Sequence, residues 1–325
     1  MPASTLPTSL LHTLTTHTGA INALTFSSLG GTYILTGSSD RQIHLSRTEP
    51  SSATETITPI QRYASHGYPI LDIACSRDNQ TFASVGGDRS VFLWDVANNE
   101  GTVRRFGSTS GGHMSRITCV AFAGEGDSVI VSGSDDMSIR LWDVKSRDTR
   151  PIMVLEEAKD GVSSLVVSGC EIIAGSVDGR VRSYDIRTGK VTVDVMPGSV
   201  TSLDFSRDGR TLLIGCLDGR IRMLDRTDGT CLRAFPEEGE TGYKNESLRL
   251  KSCFGQNEAL VLSGSEGDGD VRAWDVLSGK NIGSAKVGSK VVSVVKWREG
   301  SQAQGRRSLW AGGGADGVVK IFGES

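Results

Sequence analysis

The chain has 325 residues, 37% hydrophobic and 22% charged, with a formal net charge of -3. That balance counts against a dedicated nucleic-acid binder, which needs cationic side chains for the phosphates, and no apolar run approaches the roughly 20 residues of a membrane-spanning helix. The length allows either two ordinary domains or one large repeat-built domain.

From the N-terminus, residues 1–12 have neither a basic start nor a long apolar stretch, so no signal peptide is expected. Residues 9–14 form a strand-like segment ahead of any repeat. The first repeat then brings His17, Thr36 and a turn at residues 40–44: an Asp, two further residues, a β-branched residue and a polar one. The same turn recurs at Asp88, Asp136, Asp178, Asp218, Asp268 and Asp316. Successive turn aspartates lie 48, 48, 42, 40, 50 and 48 residues apart, a mean of 46. Three units close on a Trp-Asp pair (Trp94-Asp95, Trp142-Asp143 and Trp274-Asp275), and two keep the Asp behind another apolar residue (Tyr184-Asp185 and Leu224-Asp225). The signature decays at both ends, to Ser46-Arg47 and Phe322-Gly323.

A Trp-Asp ending at a period of roughly 40–45 residues is the mark of WD repeats. Within each unit, short alternating segments divided by Gly, Asp and Ser read as strands and turns. The third unit reads as strands over 116–123, 128–133 and 138–144, and no helical period occurs. A lone four-stranded sheet cannot bury both faces, whereas sheets stacked radially bury them against one another. The expected fold is therefore all-β: one seven-bladed WD-repeat β-propeller over residues 1–325, with blades at about 15–60, 61–108, 109–155, 156–193, 194–236, 237–283, and 284–325 joined to 7–14. The last unit has no fourth strand after Ile321-Phe322, so the segment at 9–14 is expected to complete it and close the ring. Inserts at 49–59, 236–245 and 299–307 are polar or acidic and read as surface loops, some of which carry binding.

Several constellations look chemical. His17, His66 and His113 lie 22 or 23 residues before a turn Asp. The sets His66, Ser84, Asp88, Trp94 and His113, Ser132, Asp136, Trp142 resemble the hydrogen-bonded chain inside WD blades. They also resemble a hydrolase triad, but recurrence in several units argues for structure, because an enzyme needs one site. Residues 312–317 match G-x-G-x-x-G, yet a strand follows where dinucleotide binding needs a helix. Glu266, Asp268 and Asp270 lack the terminal Glu and the spacing of a calcium loop. Arg140, Arg182, Arg222, Arg272 and Lys320 share one repeat position, read as stem packing and local charge pairing rather than a functional ring. The six cysteines form no C-x-x-C pair and read as small buried hydrophobes of a reducing compartment. The Asn245-Glu246-Ser247 sequon is expected to be silent. No catalytic, metal-binding or cofactor-binding residues are expected.

Residues 160–164 and 171–182, with His66, Gly67, Tyr68, Leu71 and Asp72 and with Lys244, Asn245, Glu246 and Cys253, carry a family resemblance. In one register along essentially the whole chain, the sequence is similar to the mitogen-activated-protein-kinase organizers, a WD-repeat family also described as spliceosome-associated. It departs from them at Ser46-Arg47 and in the longer inserts after Glu49 and Glu299. The resemblance implies a non-catalytic scaffold, either assembling kinase-cascade components or serving pre-mRNA splicing, and located in nucleus and cytoplasm. Its partners would be other proteins, with no membrane and no sequence-specific nucleic acid, and the chain would be a monomer within larger assemblies. Docking is expected where the loops before each first strand meet the second-to-third-strand turns, with Tyr68, Pro69, Arg116, Asp135, Arg249 and Lys290 as candidates. The alternative is a substrate receptor of a cullin-type ubiquitin ligase, for which Tyr184-Asp185-Ile186-Arg187 is the nearest match to the required Trp-Asp-x-Arg.

Overall fold

A period of two sends alternate side chains to opposite faces, and β-branched residues fit a half-buried pleated surface. The repeats accordingly form short antiparallel strands. The computed structural model describes residues 5–28, 30–49, 58–98, 101–108, 111–237, 242–300 and 305–324. Parts of the three inserts, at 50–57, 238–241 and 301–304, lie outside the described residues.

After β1 (Ser9–Leu14), blade one comprises β2 (Ile21–Phe26), β3 (Tyr33–Ser38), β4 (Ile43–Arg47) and β5 (Gln61–Tyr63). Blade two comprises β6 (Ile70–Cys75), β7 (Thr81–Gly86), β8 (Val91–Asp95) and β9 (Arg104–Phe106). Blade three has β10 (Ile117–Ala123), β11 (Val129–Ser134), β12 (Ile139–Asp143) and β13 (Met153–Leu155), within one residue of the expected bounds for three strands; the short fourth carried no sequence signal. Blade four has β14 (Val162–Ser168), β15 (Glu171–Ser176), β16 (Arg180–Asp185) and β17 (Lys190–Val195). Blade five has β18 (Val200–Phe205), β19 (Thr211–Cys216), β20 (Arg220–Asp225) and β21 (Cys231–Phe235). Blade six has β22 (Ser252–Gly255), β23 (Leu260–Gly264), β24 (Asp270–Asp275) and β25 (Asn281–Lys286). Blade seven runs β26 (Val292–Arg298), β27 (Leu309–Gly314) and β28 (Val319–Gly323), and its fourth strand is β1.

Closure is by antiparallel pairing of Ser9 with Gly323 through Leu14 with Val319. Trp310 adds a latch: its indole N–H donates to the Pro7 carbonyl at 2.7 Å, and its ring stacks on Phe322 at 4.2 Å. Each first strand lies against the first strand of the next blade, and β2 against β26 completes the circle.

The core is divided into wedges between blades. Ala23, Leu35, Ile43 and Tyr63 of blade one pack on Ile70, Phe82, Phe92 and Trp94 of blade two. Across the closure, Leu14, Ile21 and Ile34 pack on Val294, Leu309 and Ile321. In six of the seven blades a register shift follows the first residue of the inner strand. Such a bulge re-aims one side chain. Here it turns Asn22, Thr118, Ser163 and Ser293 onto the carbonyls of Ile70, Val162, Val200 and Ile21, each the first inner-strand residue of the following blade.

Candidate protein-interaction face

The turn aspartates organise one end of the disc. In blade two, His66 Nδ1 meets Asp88 Oδ2 at 2.5 Å and Nε2 meets Ser84 Oγ at 2.7 Å, while Trp94 Nε1–H donates to the same hydroxyl at 2.7 Å. Blade three repeats this with His113 to Asp136 at 3.0 Å, His113 to Ser132 at 2.8 Å and Trp142 to Ser132 at 2.8 Å. Each Asp also accepts the backbone N–H after the His, from Gly67 at 2.9 Å and Met114 at 2.8 Å. The loop before the inner strand is thereby tied to the turn between the second and third strands. The His, Ser and Trp of each chain are buried and the Asp is half-buried, with its carboxylate tied within the blade.

Blades without this His hold the turn by other means. Arg182, Arg222 and Arg272 reach back four residues to Asp178, Asp218 and Asp268 at 2.6, 2.5 and 2.7 Å. Arg140 is 3.9 Å from Asp136, and Lys320 donates to the Lys286 carbonyl at 3.3 Å. At Arg140, Arg182, Arg222 and Arg272 the shared basic position works as local charge pairing, whereas Lys320 meets a backbone carbonyl. In blade one, His17 bonds Asp40 and Thr36, both at 2.9 Å, and His44 stacks on it at 3.9 Å, as Phe92 lies on His66 at 4.1 Å in blade two, while Ser46 takes the Trp position. In blade six, Tyr243 makes the contact to the strand Ser that the His makes elsewhere: its hydroxyl lies 3.2 Å from Ser263, and its ring meets Trp274 edge-on at 5.2 Å. The Tyr243 contact escapes a motif search, because it does not keep the residue type that defines the set.

The other look-alikes have structural duties. Residues 312–317 end β27 and turn into β28. Glu266 accepts the backbone N–H groups of Glu246, Ser247 and Leu248 at 3.1, 2.9 and 2.6 Å. Burial raises its pKa, but these bonds outweigh it and hold the carboxyl below its ordinary value. Tyr184 is buried and Arg187 exposed in the Tyr184-Asp185-Ile186-Arg187 turn.

Antiparallel order puts the start of every inner strand and every second-to-third-strand turn at the same end of the disc. Tyr68, Pro69, Arg116 and Lys290 are exposed there. Arg116 forms an ion pair with Asp135, so two of the candidates engage each other, and the Pro69 carbonyl accepts the Gly87 N–H at 3.2 Å. Arg249 differs from the expected outward-facing docking group. Its guanidinium turns into the central channel and donates to the carbonyls of Thr118 at 3.0 Å and Thr201 at 3.4 Å. Beside it, Lys251 Nζ spans the axis to Asp72 Oδ1 of blade two at 2.5 Å. Motif reading also missed the apolar members of this face. Met114 is 80% exposed, and Met137, Val177 and Leu248 stand out with it beside Tyr68. They stand separately on loops of blades two, three, four and six, all at this end of the disc.

Among the described residues, no helix is long and apolar enough to cross a membrane. The family model described as "WD domain, G-beta repeat" matches residues 8–45, 57–95 and 104–143, and that of the "Anaphase-promoting complex subunit 4 WD40 domain" matches residues 192–241. The chain is 42% identical over 290 residues to WD repeat domain-containing protein 83 of Rattus norvegicus, covering 89% of this chain and 86% of that one. It is 38% identical over 315 residues to the protein of the same name in Xenopus tropicalis, covering 95% and 94%. Over 312 residues it is 27% identical to the Dictyostelium discoideum homolog, covering 87% and 90%. None of these names refers to the spliceosome. The spliceosome-associated identity attached to the sequence resemblance is corrected accordingly: the relatives support similarity to WD repeat domain-containing protein 83 and lend no support to the splicing role.

Proposed function

The chain belongs to the WD repeat domain-containing protein 83 family, and from that footing we propose that it is a non-catalytic scaffold gathering components of a kinase cascade. The reading is supported above all by Tyr68, Met114, Met137 and Val177, apolar side chains exposed at one end of the disc on or beside turns tied by buried polar contacts. A preorganised surface loses little conformational entropy when a partner docks. The His-Ser-Asp groups are spent on Trp and backbone partners, which supports a structural role for them. Nucleus and cytoplasm belong to the same proposal, supported by six free cysteines of the kind a reducing compartment maintains.

Affinity purification of the full chain with mass spectrometry tests it. Kinase-cascade proteins are expected with the wild type and should be lost with Met114→Asp or Tyr68→Asp at an unchanged melting temperature. RNA-processing proteins in place of kinases, or kinases retained by both variants, would overturn the reading.

A further inference from the structure

An outer strand presents unpaired N–H and C=O groups, and proteins blunt such edges by shortness, charge or a bulge. Six of the seven blades do so. Strands β5, β9 and β13 have three residues each, and β1, β21 and β25 are broken by register shifts. Strand β17 of blade four is neither short nor bulged, and its only edge charges are Lys190 and Asp194. Its six residues pair with β16 without interruption, and Val191, Val193 and Val195 are 38%, 48% and 71% exposed.

The opposite face of β17 carries Lys190, Thr192 and Asp194. Among the described residues neither Asp194 nor the Lys190 ammonium forms an ion pair, and burial acts on the Asp194 carboxyl, pushing its pKa up. Read outward from Thr192, the strand is palindromic in character: valine on either side, then a cation at one end and an anion at the other.

We propose that β17 is a self-association edge, joining two copies of this chain through antiparallel pairing about a two-fold axis at Thr192. In that register Lys190 faces Asp194 of the second copy, Val191 faces its Val193, and Thr192 faces its own counterpart. Opposite charges and β-branched pairs directly across a ladder are both favourable. A slip of one residue sets Val191 against Asp194 and Lys190 against Val195, so the charges themselves select the register. A two-fold contact of this kind is isologous and closes at a dimer. Because β17 lies on the outer edge of blade four, the dimer leaves Tyr68 and Met114 of both copies free.

Sedimentation of the full chain over a concentration series tests this. The wild type is expected to dimerise reversibly. Lys190→Glu and Asp194→Lys, each folded by circular dichroism, should each weaken dimerisation about tenfold or more, since every dimer then carries two like-charge contacts. An equimolar mixture of the two variants should restore it, because opposite charges face each other again in the mixed pair. A wild type that stays monomeric throughout, single variants that associate like the wild type, or a mixture no tighter than its components would each overturn the proposal.

Discussion

Ser132 shows how much one hydroxyl carries. It meets His113 Nε2 and Trp142 Nε1 at once, in a site closed to water. Removing it strands two buried ring nitrogens, and an unmade buried hydrogen bond costs more than a made one contributes. Ser132→Ala is expected to lower unfolding free energy by about 2 kcal/mol. Ser46, at the position where blade one lacks its Trp, has a buried hydroxyl without a partner. Ser46→Ala should therefore change stability by less than about 0.5 kcal/mol. Urea titration of the two variants measures the contrast. His44 adds a pH effect: burial and then the neighbouring His17 push its pKa from 6.5 down to about 4. Its folded value lies below its unfolded one, so the unfolded chain takes up the proton first as pH falls. The contribution is complete above about pH 6.5 and fades as pH falls toward 4. The urea midpoint should drop between about pH 7 and about pH 5, less steeply in His44→Gln.

Strand β1 pairs with the last repeat although it precedes the first, so the chain ends are welded through one sheet. Without it, β28 becomes an open edge, Trp310 loses the Pro7 carbonyl, and Leu14 leaves the wedge between blades seven and one. Deletion of residues 1–14 should lower the melting temperature sharply, and an unchanged calorimetric profile would contradict closure by this strand. The bulge side chains act on the same principle between neighbours. Each places one polar group on the next blade's first inner-strand carbonyl, so blades are held by directional bonds as well as by apolar wedges.

Seven wedges alone would leave the disc free to flex about its axis. Lys251 and Asp72 join blades six and two across the channel, and Arg249 ties blade six to blades three and five. Arg298 of blade seven reaches the Gly31 carbonyl of blade one at 3.0 Å. These bonds connect residues far apart in sequence: those of Lys251 and Arg249 join blades near the docking end, and that of Arg298 joins blades seven and one at the opposite end. The proposed scaffold role draws on that connectivity together with the apolar side chains exposed at the docking end.

The repeat period, the strand alternation and the His, Ser, Asp and Trp spacings are local properties, since each is imposed by a strand period of two or a turn of fixed length. Blade number, ring closure by residues 9–14 and the two complete polar sets could therefore be read before any coordinates were known. The contact of Tyr243 with Ser263 could not, because a buried site accepts any ring of suitable size and hydrogen-bonding capacity. Nor could the inward turn of Arg249, the exposure of Met114 and Met137, or the long, unbulged edge of β17. Each of those depends on which blade lies opposite or alongside, and that is settled only when the ring closes.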